Sequence, residues 1–248
     1  MKRICLQLLF LTLALSSYSQ GNIIKVNLTS FVFKDVYVSY ERTFLKRFSL
    51  NLGVDYMPTR NIPFASNFGD VNGYPNPAIG MTVSGWRITP EVRIYMSLTK
   101  GSPKGFYIAP YFRYGNYDFQ HDAYQYHYND VYDNNIAKTA KVDFTGKYAA
   151  VGGGIMIGHQ WIIAKRLSLD FWILGLGVSS VDFDLRASSN DMDKRYFSES
   201  SSFSHDVESN LRVFNNISLT TGDNFVQANS NNVFLGVRGL GFNVGFAF

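Results

Sequence analysis

The last stretch of the chain, Asn231–Phe248 (NNVFLGVRGLGFNVGFAF), constrains the fold more than any other. Counting back from the end, Phe248, Phe246, Val244, Phe242 and Leu240 fall on one side. Ala247, Gly245, Asn243, Gly241 and Gly239 fall on the other. Alternation of period two is that of a β-strand. In a water-soluble sheet the bulky face would lie on a core and the other would meet solvent through polar side chains. Here the second face is mostly glycine, and the chain ends on an aromatic residue. Large residues toward lipid and small ones toward a narrow interior give this pattern in the closing strand of a transmembrane β-barrel.

The opposite end of the chain predicts how such a strand would reach a membrane. Met1-Lys2-Arg3 is basic, Ile4–Leu15 is apolar, and Ser17 and Ser19 stand at −3 and −1 of a cut before Gln20. Residues 1–19 read as a cleaved signal peptide, too short for a spanning helix. Gln20, not cysteine, follows the cut, which argues against a lipoprotein anchor. The only cysteine, Cys5, falls in the segment to be removed. Disulfides, thiolate metal sites and a cysteine nucleophile are therefore excluded from the remainder. Without Lys2 and Arg3, 21 basic residues face 19 acidic ones, a balance of +2. That is too even to suggest nucleic acid as a partner. Residues 20–248 could form one domain, and no later apolar run approaches the roughly 20 residues of a membrane helix. The competing fold is a secreted β-sandwich.

Further alternating stretches fill the chain between these ends. The clearest is Phe48, Leu50, Leu52, Val54 and Tyr56 against Ser49, Asn51, Gly53 and Asp55. Others start near Asn22, Val36, Trp86, Gly105, Thr145 and Leu167. Pro90 should mark loosened pairing, because proline cannot donate to a ladder. Connections at 45–47, 98–104 and 164–166 are short, whereas 58–85, 118–141 and 184–230 read as long loops. Short turns on one side and long loops on the other are the layout of an eight-stranded antiparallel barrel, with turns in the periplasm and loops outside. Only the first connection, near 30–35, departs from it, being short where a long loop would be allowed.

Several short motifs carry a resemblance. They are Tyr40-Glu41-Arg42 before a tight turn, a glycine-rich strand ending His159-Gln160-Trp161, and Lys165-Arg166-Leu167-Ser168-Leu169-Asp170, echoed at 46–51. In these the chain resembles a family of small outer-membrane barrels of unknown function common in Bacteroidetes. In architecture it is similar to OmpA- and OmpX-type eight-stranded barrels. The resemblance implies the outer membrane of a Gram-negative bacterium, contact with its lipid, and passage past periplasmic chaperones to the barrel-assembly machinery. Phe242, Val244, Phe246 and Phe248 match the C-terminal assembly signal of such proteins. The family brings no catalytic residue and no cofactor.

Alternation turns Glu41, Asp55, Arg87, Glu91, Arg93, Arg113 and Asp170 inward. They could form an ion path, but an eight-stranded interior is only wide enough for side chains to fill it. A packed electrostatic plug is the expectation. His121 and His127, near Asp122, Asp130 and Asp133, match no metal-ligand spacing, so no metal is expected. Ser204-His205-Asp206 has the residue types of lipid A acyltransferases and deacylases. Triads, however, are assembled in space and not from sequence neighbours. The glycine clusters at 152–154, 175–177 and 239–241 lack the following helix of a phosphate loop and read as strand glycines. Tyr40, Tyr56, Trp86 and Trp161 are expected in aromatic girdles at the membrane surfaces. Tyr124, Tyr126 and Tyr128 alternate as a hairpin would and could present an aromatic face to an unknown surface ligand. The expected role is non-enzymatic, structural or in surface interaction through the loops. A lipid-modifying enzyme and a narrow channel or accessory subunit are the alternatives.

Overall fold

Residues rich in β-branched and aromatic side chains at period two favour strands wherever one face is dry, and strands dominate this chain. The computed structural model describes residues 21–45, 47–62, 65, 78–96, 103–211 and 214–248. The signal-peptide segment 1–19, most of the connection 98–104 and much of the loop 58–85 lie outside the described residues.

The elements are β1 (Asn22–Asn27), a short helix α1 (Leu28–Val32), β2 (Val36–Leu45), β3 (Phe48–Asn61), β4 (Thr82–Tyr95), β5 (Gly105–Asp130), β6 (Ile136–Ile163) and β7 (Leu167–Ser188). A 3-10 turn (Lys194–Phe197), α2 (Ser202–Asn210), β8 (Ser218–Thr221), β9 (Phe225–Arg238) and β10 (Gly241–Ala247) follow. Asn27 starts α1 by accepting a hydrogen bond from the backbone N–H of Ser30, as N-cap residues do. All ten strands join one antiparallel sheet, and it closes in a ring. Closure runs through β10, which pairs with β1 (Val26↔Val244) on one edge and with β7 (Phe171↔Phe242) on the other. β9 continues up the remaining length of β7, and β8 adds to the far edge of β9. Pairing between β4 and β5 thins at Pro90 while its register is kept.

Within the ring the side-chain pattern is inside-out relative to a soluble protein. Ile24, Tyr40, Leu50, Leu52, Val92 and Phe246 are exposed on the outer face. Lys25, Glu41, Asn51, Glu91, Arg93, Asp170 and Asn243 are buried inside. Beyond the ring the pattern inverts. Above Ala149, the outward residues of β6 are Lys147, Thr145, Asp143, Lys141 and Thr139, and the buried ones are Phe144, Val142 and Ala140.

The expected loops 118–141 and 184–230 are corrected by this inversion. β5 and β6 run on as a hairpin to Asp130 and Ile136. β7 extends to Ser188, and β9 begins at Phe225. Polar composition disguised these strands: Gln227, Asn229 and Asn231 point out while Val226 and Ala228 are buried. The 3-10 turn and α2 pack Tyr196, Phe197, Phe203 and Val207 onto the buried face, forming a second apolar core.

One more departure affects the interior. Ile173 and Leu174 both face outward, and the β6–β7 register shifts between Ile157 and Gly158. An extra residue of this kind is a β-bulge, which flips the parity of everything beyond it. Gly239 and Leu240 lie opposite and are likewise both exposed. Extended backward, the alternation of the tail would put Arg238 outside; the slip turns it inside.

Candidate functional site

Strand alternation delivers the interior charges from all sides of the ring, and the geometry binds them into one cluster. Arg93, on β4, is at its centre. Its guanidinium donates to Glu91 (2.8 and 3.0 Å), Asp170 (2.8 Å) and Glu41 (3.3 Å). Lys25, from β1, donates to Asp170 at 2.9 Å and also bonds Glu41 and Gln160. Arg238 reaches Glu91 at 2.6 Å. Tyr95 donates to Glu41 at 2.6 Å, and Tyr107 donates to Asp170 at 2.8 Å. Asn51 and Asn243 add amide donors to Glu91 and Asp170. Three cations, Lys25, Arg93 and Arg238, thus face three carboxylates, Glu41, Glu91 and Asp170. The side chains of Lys25, Glu41, Glu91, Arg93 and Asp170 are 0% exposed. Buried charge is tolerated when it is paired and its remaining hydrogen-bonding sites are filled, and this cluster meets both conditions.

Aromatic rings floor the cluster. Tyr107 lies under Arg93 at 4.6 Å, and Trp172 lies under Arg238 at 4.2 Å. Close approach of these rings needs glycine opposite: a Cβ on Gly158 or Gly241 would collide with Tyr107 or Trp172.

Of the seven inward charges expected from sequence, Glu41, Glu91, Arg93 and Asp170 meet in the cluster. Asp55 and Arg87 pair with each other on a neighbouring level of the interior. Arg113 joins neither group; its charged neighbours are Arg87 and Arg238, and its described contact is the Tyr111 ring at 5.3 Å. Lys25 and Arg238 were missed. Lys25 sits in a short, weakly alternating strand. Arg238 is legible only if one notices that the apolar parity changes between Val237 and Leu240.

His121 packs edge-on to Tyr124, and His127 bonds Thr139 at 2.8 Å. His159 lies against Trp161 at 4.2 Å. No group of three or more His, Cys, Asp or Glu residues suited to a metal occurs among the described residues. Ser204, buried on α2, donates to the Ser198 carbonyl, while His205 is exposed and Asp206 accepts from Tyr126. These three side chains do not converge. Tyr126 and Tyr128 lie against Phe203 and Tyr196, so the cap formed by the 3-10 turn and α2 already covers their faces. Tyr40, Tyr56, Trp86 and Trp161 are exposed on the outer face, with Trp86 edge-on to Tyr114 at 5.5 Å.

A family model described as a protein of unknown function (DUF3575) matches residues 5–197, most of the chain. The chain belongs to the DUF3575 family. No curated protein and no solved structure matches it. The DUF3575 match spans β1 to β7 and therefore Lys25, Glu41, Glu91, Arg93, Gln160 and Asp170 of the cluster. Arg238 and Asn243 are supplied from beyond it, by the strands that close the ring.

Proposed function

We propose that this DUF3575 protein is an eight-stranded transmembrane barrel of a bacterial outer membrane, closed to ions, that holds a rigid cap outside the cell. Taking β9 and β10 as one bulged strand, and setting aside β8, which pairs only with β9 above the ring, gives the count of eight. The reading rests above all on the level at which the outer face changes character. Outward residues switch from polar to apolar between Lys147 and Val151 on β6, Asp182 and Val178 on β7, and Asn231 and Val233 on β9. Register puts these switches side by side, and Trp86 and Tyr114 lie at the same level on β4 and β5. From Val151 to Ile163 the apolar stretch spans about 40 Å along the strand, or about 30 Å of height at a tilt of about 40°. That is the thickness of a bilayer's hydrocarbon core.

The cluster's three cations and three carboxylates, all paired, support a plug over a channel. The helix-covered cap supports a surface-interaction role, since such a role needs binding parts on a rigid scaffold. Single cysteines introduced into the cysteine-free mature chain test the placement. In intact membranes, Asn231→Cys should react with a water-soluble maleimide while Leu235→Cys stays protected. Equal labelling of the two would contradict the membrane reading.

A further inference from the structure

The wall of the ring has a gap. β1 ends at Asn27, opposite Asn243, whereas the C-terminal strand continues upward through Arg238. Along Val233–Arg238 one edge of β9 pairs with β7, and its other edge has no strand partner among the described residues. In lipid, unpaired backbone of this kind is costly unless something covers it. Behind the gap lies a cavity of about 400 Å³, bounded by Phe33 and the α1 residues Thr29 and Ser30 on one side and by Val237 and Leu240 on the other. Val237 and Leu240 are also among the most exposed apolar residues of the outer face, so the cavity reaches that face between them and α1. The volume falls within the range of small-molecule sites.

The inner end of the cavity is cationic. Arg87, Arg113, Arg238, Asp35 and Asp55 line it. Arg238 is committed to Glu91, Arg87 to Asp55, and Asp35 to Arg60 at 3.0 Å. Arg113 remains without an acidic partner among the described residues. The Nε atoms of Arg113 and Arg87 are both buried with no hydrogen-bond partner. A buried guanidinium N–H left unmatched is costly, and a carboxylate or phosphate is the group it pairs with best.

We infer that this cleft binds a single-chain amphiphile with an anionic head, which enters sideways from the membrane. The head sits against Arg113 and Arg87, and the chain leaves between Phe33 and Leu240, covering the bare edge of β9. This inference rests on the reading of the outer face as lipid-facing.

Trp172 lines the same cavity, whereas the other two tryptophans, Trp86 and Trp161, are on the outer face. The test uses the full protein in dodecyl maltoside with Trp86→Phe and Trp161→Phe, so that Trp172 reports alone. Bromododecyl phosphate should quench it saturably, and dodecyl phosphate should compete. Arg113→Gln should weaken binding by about tenfold or more, the worth of a charge-assisted hydrogen bond, while the protein keeps its heat-dependent gel mobility. Equal quenching by neutral bromododecyl maltoside, or no effect of Arg113→Gln, would overturn the inference. Competition by inorganic phosphate as strong as by dodecyl phosphate would mark a free-anion site and overturn the membrane source. A heat-shifting protein without saturable quenching would sink this inference alone. Loss of the heat shift itself would sink the barrel reading and the inference with it.

Discussion

Arg93 shows at the scale of one residue how the interior is held. It touches all three buried carboxylates of the cluster, so Arg93→Met would leave Glu41, Glu91 and Asp170 with too little positive charge. Breaking a buried pair from one side costs about 3–5 kcal/mol. Arg93→Met should therefore lower markedly the temperature at which the folded form is lost in detergent. Lys25→Met should act the same way. Adding Glu41→Leu to Lys25→Met should recover part of the loss, because the orphaned charge goes too. A double variant no better than the single one would show that the pair does not act as a unit. Most of these charges could be read from the sequence, because alternation alone assigns a face to Glu41, Glu91, Arg93 and Asp170. Lys25 and Arg238 were harder for different reasons. One lies in a strand too short to show a period, and the other lies beyond a bulge that reverses it.

Among the elements, the cap is where sequence reading and structure diverge most. Serine- and asparagine-rich segments read as loops because the strands below them carry apolar residues outside. Above the inversion level the outward face turns polar, and the same period two then runs through Gln227, Asn229 and Asn231 unnoticed. The cap core depends on Phe203, fully buried against Phe197 and Tyr126. Phe203→Ala should cost about 3–5 kcal/mol of local stability. It should expose the 189–211 segment to protease while leaving the heat-dependent gel mobility of the ring unchanged; simultaneous loss of both would show that cap and ring are one cooperative unit. Tyr196 gives the cap a pH dependence. Its hydroxyl donates to Asp130 at 2.8 Å, and burial, then that bond, push it up to about 12. A folded value above the ordinary tyrosine value of about 10 means the contact contributes fully below that pH. The contribution is then lost as pH rises toward about 12. Near-ultraviolet circular dichroism should show the cap loosening over that window, and Tyr196→Phe should remove the step. An unchanged step in Tyr196→Phe would assign it elsewhere, Tyr126 being also raised by burial and its bond to Asp206.

For the whole molecule, closure is the claim on which the rest depends. The terminal strand predicted it well, because Phe242, Val244, Phe246 and Phe248 alternate with small or polar residues, and β10 joins β1 to β7. The gap beside β9 was not legible. It arises from the unequal lengths of β1 and the C-terminal strand, which no local pattern announces. On the proposed placement in lipid, a ring tied together by buried ion pairs should resist dodecyl sulfate until heated. The most direct measurement is therefore the mobility of the membrane-extracted protein on a denaturing gel, unboiled and boiled, beside a variant lacking 246–248. A heat-dependent shift should appear in the intact chain and disappear in the truncated one. An intact protein found in the soluble fraction, with the same mobility before and after boiling, would contradict it.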